Sequence, residues 1–408
     1  MEIFPRDVLL RVNPRTLGRL PYTFTRAAIR RIRDRDGIGR KVAAGNVAIN
    51  YPGLVDAFGN PVATIRVDGA RTQLVTNPEN FGAWGNTGTL VLTSGQADPF
   101  GGTAAYLLTD NSAGVDQFIS EATPFTADAT KGYAVYVRKG TSAPASGSRI
   151  SVFDSTAGTG RLSATLTWDG AGTPSLSVGQ LGAAEAWAGG WWRLPIQVAG
   201  IIAANTNVLI FRPAHVLSET GDLFVFGANA WNAPFPSSYQ GPGESAGAAD
   251  AFSLSYNWGP LSEMSVLTRL ARPAWASAAG TIGNRWVWEV GTALPNVNLL
   301  GLSAARTWRS SWDTSGSDSL VDSAIPAGTE LRVLTQAKLV AGGQPQVAHD
   351  VGDGAGLSSF GSAASAVTQF GNQTLRIGSP PGEELYGDLI DLIVFRGLFS
   401  LNEGLAVP

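Results

Sequence analysis

The chain has no cysteine, two histidines (His215 and His349) and only four lysines among its 29 basic residues. Without cysteine, disulfide frameworks, thiolate zinc sites and cysteine nucleophiles are excluded. Two histidines leave little for His-based catalysis or a His-rich metal site. Charge is also scarce, at 15% of residues against 44% hydrophobic. No apolar run approaches the ~18 residues needed to span a bilayer. The longest candidates, 201–211 and 389–399, are interrupted by Asn205 and Asn207, or by Asp391 and Arg396. Arg11 and Pro14 break the only apolar stretch near the start, so no secretory h-region is visible and a chain made in the cytoplasm is expected. What is abundant is glycine (50), proline (23) and tryptophan (12). The glycines keep no three-residue period, which excludes collagen. Aromatics and aliphatics are plentiful enough to fill a core, so a disordered chain is excluded as well.

At 408 residues the chain is long enough for two or three domains. Helical periodicity is rare, whereas two-residue alternation recurs between turn-forming stretches. Residues 133–139 alternate aromatics with small or polar residues. Residues 161–168 put Leu162, Ala164, Leu166 and Trp168 on one face. In 285–290, Trp286, Trp288 and Val290 share a side, and 330–340 places Leu331, Val333, Thr335, Ala337 and Leu339 inward. The pattern predicts an all-β fold of antiparallel sandwiches. Composition divides it into a basic N-terminal attachment region (1–70), one β-sandwich (71–240), a linker (241–249) and a second β-sandwich (250–408).

The net charge of −3 conceals a division. Residues 1–41 hold ten arginines and Lys41 against four acids, a net +7, which leaves −10 for the remainder. A basic segment on an acidic body is expected to dock on something negative. Arg30, Arg31, Arg33 and Arg35 alternate with Ile32, Asp34 and Asp36, the pattern of a folded, ion-paired segment. A polybasic tail for nucleic acid would look different. Docking on an acidic protein surface is therefore expected, with Arg26, Arg30, Arg31, Arg33 and Arg35 as attachment residues.

Residues 243–247 read G-E-S-A-G, a literal G-x-S-x-G. A nucleophile elbow requires a strand before Ser245 and a helix after it, and here a loop runs into a strand instead. A glycosidase needs two carboxylates across a sugar. Glu383 and Glu384 fall in a turn, and the odd spacing of Asp388 and Asp391 sends them to opposite strand faces. Asp350 and Asp353 lack the rhythm of a calcium loop, and no glycine run has the form of a phosphate cradle, so neither metal nor cofactor is expected. Tryptophan is the informative type. Trp191 and Trp192 point to opposite faces of one strand, and Trp308 and Trp312 lie in a serine-rich segment. Exposed aromatic platforms stack on sugar rings, which makes Trp192, Trp308 and Trp312 the carbohydrate-binding candidates. Trp84, Trp168, Trp286 and Trp288 are assigned to core.

The run YTFTRAAIRRIRDRDGIGRKVAAGNVAINYPG (22–53), followed by GARTQLVTNPENFGAW (69–84), resembles the opening of tailed-bacteriophage virion surface proteins. In those proteins it introduces a carbohydrate-binding-module-like jelly roll. GYAVYVRKG (132–140), GGWWRLPIQV (189–198) and FVFGANAWNAPFPSSYQ (224–240) resemble later strands of the same module. DAFSLSYNWGPLSEMSVLTRL (250–270) and LRIGSPPGEELYGDLIDLIVFRGLFSLNEG (375–404) resemble concanavalin-A/laminin-G-like modules, with departures at Leu392 and Asn402. The resemblance implies a non-enzymatic tail fibre, baseplate or capsid decoration protein on the virion surface. It further implies anchoring by the N-terminal region to other virion proteins, homotrimeric assembly and a host surface glycan as ligand. A polysaccharide-degrading depolymerase is the competing expectation. No membrane insertion is expected.

Overall fold

The computed structural model describes residues 8–20, 22–25, 29–68, 71–244, 250–256, 262–271, 285–290, 296–302, 307–314, 317–324, 330–339, 345–352, 358, 361–362, 373–377 and 387–398. Among them the fold is all-β, and the three helical pieces are single 3₁₀ turns. The strands form two antiparallel two-layer units, here termed the middle and the outer sandwich, and one small hairpin.

The middle sandwich is built from consecutive chain. One of its sheets has Trp191–Ile201, Ala129–Lys139 and Gly221–Trp231 side by side. The facing sheet centres on Thr159–Trp168, Ser148–Asp154, Asn207–Arg212 and Phe118–Thr123. The expected alternation holds: Leu162, Ala164 and Leu166 meet Tyr133, Val135, Val137, Leu194 and Ile196 in one core, with Trp168 and Trp192 against its margin. Burying each such side chain contributes about 1.5–3 kcal/mol.

The outer sandwich is built from both ends of the sequence. Its last strand, Gly387–Arg396, pairs on one edge with Glu263–Ala271. Its other edge is completed by two N-terminal strands, Val8–Val12 and Thr64–Val67. In the second sheet Tyr22–Thr25 pairs with Ala251–Tyr256, which pairs with Gln373–Ile377. Leu10, Val12, Leu17, Ile65 and Val67 lie in one core with Met264, Val266, Trp288, Leu331, Leu389 and Val394. The expectation of a separate attachment region at 1–70 is corrected by this pairing. The N-terminal strands carry alternating apolar residues that have no sheet of their own, and the outer sandwich is where they are buried. The middle sandwich is thus inserted between two strands of the outer one.

Two further expectations change because of β-bulges. Arg269 opposes Asp391 and Leu270 opposes Leu389, so Ile390 is an extra residue. Asp388 and Asp391 then oppose positions 271 and 269, two apart, and share a face. Irregular register around Trp286 and Trp288 likewise buries both Val287 and Trp288 in the same core. The Trp288 indole N–H donates to Thr268 Oγ1 at 2.9 Å. The side chain of Trp286 lies outside the described residues.

Candidate functional site

The basic segment folds into the hairpin Arg30–Arg33/Gly39–Val42. Its turn is closed by Asp34, whose Oδ1 accepts from the N–H groups of Asp36 (3.0 Å) and Ile38 (2.8 Å), with Gly37 at φ +81°. The hairpin is wedged against the outer face of one sheet of the middle sandwich. Gly39 N–H donates to the Pro99 carbonyl and Ala188 N–H to the Gly37 carbonyl, both at 2.8 Å. A glycine is required at 39, because a Cβ there would overlap the Phe100 ring.

Phe100 fills an aromatic cup. Its ring centroid lies 5.5 Å from those of Trp187 and Tyr239, 5.7 Å from Phe226 and 5.9 Å from Tyr136. Above the cup, the Arg31 guanidinium lies 5.0 Å from the Phe100 centroid and 4.7 Å from that of Tyr239. It pairs with Glu79 at 3.1 Å and Glu244 at 3.0 Å, and Tyr239 donates its hydroxyl to Glu79 at 2.7 Å. Burial works against the Arg31 charge, but Tyr239, Glu244 and Glu79 outweigh it and leave the group above the usual arginine value.

Beside the cup lies a buried ionic network joining hairpin, outer sandwich and middle sandwich. Arg30 Nη2 meets Asp250 Oδ1 at 3.1 Å, and its Nε lies 3.4 Å from Asp68 Oδ2; all three side chains are fully buried. Arg66 bridges Asp68 (2.9 Å) and Asp388 (2.8 Å). Asp388 also accepts from Thr64 Oγ1 and Asn50 Nδ2, each at 2.9 Å. From the middle sandwich, Arg71 approaches Asp68 at 3.7 Å and donates to the Ser238 carbonyl at 2.7 Å, while the Ser238 hydroxyl donates to Asp68. Burial opposes the Asp68 charge, yet Arg66, Arg71 and Arg30 hold its carboxyl far below the usual range. Burial lowers Arg71 to about 9, still protonated at neutral pH. A network of this kind fixes geometry more than it adds stability, because desolvation consumes most of the Coulombic gain.

The attachment role expected for Arg30 and Arg31 is therefore corrected: both are buried and their partners belong to this chain. Arg33 is half-buried and donates to the Tyr51 carbonyl at 3.4 Å. Arg35 is exposed on the hairpin turn, and Arg26 lies outside the described residues. Arg30 and Arg31 of the basic segment thus meet carboxylates of the chain's own body. Further along the segment, Arg11 pairs with Asp391 at 2.7 Å and Lys41 lies 3.9 Å from Glu244. Glu244 belongs to the G-x-S-x-G segment and accepts from Arg31; Ser245 lies outside the described residues.

Trp191, the strand neighbour of the candidate Trp192, is buried and its indole N–H donates to the Ala97 carbonyl at 3.2 Å. Trp192 is half-buried against the inner core. Trp308 and Trp312 lie on the strand Thr307–Thr314, in register with Ser323 and Ser319, so both occupy one strand face. Their side chains lie outside the described residues. Sequence reasoning missed Asp68, Arg66, Arg71, Glu79, Phe100 and Tyr239. The usable signal was the opposite charge of the two chain parts, together with the D-x-F-G stretch at 98–101.

Fold and joint define an all-β chain of two interlocked antiparallel sandwiches. No protein-family model and no curated protein matches the sequence. Among solved structures, the chain is similar to a GH43 glycoside hydrolase engineered to display both endo-xylanase and exo-arabinofuranosidase activity. Identity is 10%, coverage is 88% of this chain and 76% of the other, and the TM-score is 0.20, below that of a shared fold. Among the described residues, no three His, Asp or Glu side chains are grouped to hold a metal, and no helix is long and apolar enough to cross a membrane.

Proposed function

We propose that the chain is a non-enzymatic structural protein on the surface of a tailed-phage particle, displaying two rigid β-sandwiches outward. Tail fibre or baseplate is the first placement, and capsid decoration the alternative. The observation that supports this reading most is spatial. The segments carrying the virion-protein resemblance are distant in sequence yet adjacent in the sheets. The strands of 132–140, 189–198 and 224–240 are neighbours in one sheet of the middle sandwich. The YTFT opening pairs with the strand of DAFSLSY, which pairs with that of LRIGS. Motifs that build common sheets behave as parts of one inherited unit.

The joint adds a mechanical reason. Three arginines and three aspartates, all buried except the partly exposed Arg66, hold the sandwiches in one relative orientation, as a projecting particle component requires. Attachment to neighbouring virion proteins is assigned to surfaces other than Arg30 and Arg31, which are consumed internally. Host glycan is the proposed outward ligand. The test is antibody labelling of intact particles, with copy number per particle separating fibre from decoration, alongside an assay on host surface polysaccharide. Particle labelling with glycan binding and no turnover supports the reading; turnover of the polysaccharide would replace it with a depolymerase.

A further inference from the structure

Along Ala129–Lys139, Val135 and Val137 face the inner core, so Tyr136 and Arg138 face outward. Tyr136 belongs to the aromatic cup, and Arg138 is half-buried beside it. The Arg138 guanidinium carbon lies 3.9 Å from the ring centroid of its cross-strand partner Phe224 and 5.2 Å from that of Trp191. Rings beneath a guanidinium fix its plane and leave its edge N–H groups to bind elsewhere. No described residue accepts a hydrogen bond from them, and Nε is also shielded from water. In the same sandwich Arg161, Arg193 and Arg212 each meet a carboxylate, at 2.6, 2.9 and 2.8 Å.

Carboxylates on this side of the sandwich are occupied elsewhere. Glu185 holds Arg193, and Asp98 accepts from the N–H groups of Phe100, Gly102 and Ala104. Asp222, two residues before Phe224, accepts from Ser142 N–H and the Thr141 hydroxyl. Burial lowers Arg138 from the ordinary arginine value with no carboxylate acting against it, and an arginine keeps its charge at neutral pH. A shielded N–H without an acceptor is costly. The row of paired residues across the sheet continues from Arg138 and Phe224 to Leu107 and then Thr93. Leu107 is half-buried and Thr93 is exposed. The row therefore presents a cation fixed over a ring, then an apolar side chain, then a hydroxyl. A sugar acid presents the matching sequence of carboxylate, C–H face and hydroxyls.

We propose that Arg138 holds a carboxylate of the outward glycan, which makes that ligand an acidic polysaccharide containing uronic acid. Its sugar acid lies along Arg138, Leu107 and Thr93. Because Nε is shielded, the carboxylate takes the end-on fork of Nη1 and Nη2. The inference rests on the glycan reading above and adds the ligand's charge and its place on the chain.

Calorimetric titration of the full chain tests it, with tetragalacturonate and a hyaluronan tetrasaccharide as probes, each also as its methyl ester. Esterification removes the charge and keeps the sugar rings. The unaltered chain is expected to bind at least one acid, and the corresponding ester about tenfold or more weakly. Arg138→Gln should bind acid and ester alike, at the level of the ester. Arg138→Lys keeps the charge and loses the fork, so its affinity for the acid should fall between. Arg149, in the facing sheet, also lacks a carboxylate among the described residues but has no ring beneath it. Arg149→Gln should bind as the unaltered chain does. Equal affinity for acid and ester overturns the inference and leaves the glycan reading standing. Binding of no saccharide, acidic or esterified, also overturns it, and the host-polysaccharide assay above then decides the glycan reading. Full affinity in a folded Arg138→Gln variant, checked by its melting temperature, would place the carboxylate contact elsewhere. Arg138-dependent binding of a polyglutamate peptide and of neither saccharide would overturn it in favour of an acidic protein neighbour.

Discussion

The middle and outer sandwiches use similar strands but reach their cores by different routes. Within the described residues, every strand of the middle sandwich comes from 85–231. The outer sandwich joins strands from 8–67 to strands from 251–396, and its Arg11–Asp391 pair closes 380 positions of chain. Closing so long a loop costs entropy before any contact repays it. The N-terminal residues therefore do structural work in the outer sandwich, while the middle one keeps its own core without them. Deleting residues 1–41 breaks this comparison most severely. It removes Leu10, Val12 and Leu17 from the outer core, each worth about 1.5–3 kcal/mol, and takes Arg30 from Asp250 and Arg11 from Asp391. That sum approaches the whole stability of a typical domain, about 5–15 kcal/mol. Calorimetry of the truncated chain should show the outer transition lost and a middle transition retained. Two transitions at their original temperatures would show that the N-terminal strands are dispensable.

A single substitution at the joint should have the next largest effect. Asp68→Ala leaves Arg66 and Arg71 without their common carboxylate in a site shielded from water, a change that costs about 3–5 kcal/mol. Asp116→Ala in the middle sandwich breaks a pair whose carboxylate is 47% exposed, and about 0–1 kcal/mol is expected there. Denaturant unfolding of the two variants measures the contrast directly. Equal losses would mean that the joint is no more demanding than the surface.

The same contrast explains what was legible in sequence. Strand alternation placed Leu162, Ala164, Leu166, Leu331, Val333 and Ala337 inward, and the structure buries all six. Local alternation is enough where side chains simply face a core. It fails at bulges, where one inserted residue moves Asp388 and Asp391 onto the same face. It also says nothing about which strand pairs with which, so the partnership of Val8–Val12 with Gly387–Arg396 was invisible. The charge division was visible, and docking of the basic segment on a negative surface follows from it. That the surface lies within the same chain required Asp68, Glu79, Glu244 and Asp250, which are scattered over nearly 200 positions and share no motif.

The smallest expected effect separates the two regions by acid. In the middle sandwich, Asp154 accepts from Asn205 Nδ2 at 2.8 Å, Arg161 Nη2 at 2.6 Å and Ala157 N–H at 2.9 Å. The Asn205 hydrogen bond, then Arg161 and Ala157, lower its carboxyl to about 2. A carboxyl depressed in the folded state contributes stability that is fully present above its unfolded value of about 4. That contribution is lost as pH falls through the folded value. Arg66, Arg71 and Arg30 hold the Asp68 carboxyl far below the usual range against the cost of its burial. Acidification from about pH 4 to 2 should therefore remove the Asp154 contribution to the middle sandwich. With Asp154→Asn, the difference in melting temperature from the unaltered chain should shrink steadily over that window and vanish near its lower end. A difference that stays constant with pH would remove Asp154 as the acid-sensitive group. It would also assign the remaining slope to the turn aspartates: Asp34, lowered first by the Arg40 hydrogen bond and then by the Ile38 N–H, and Asp56 and Asp169, lowered first by the backbone N–H groups of their own turns.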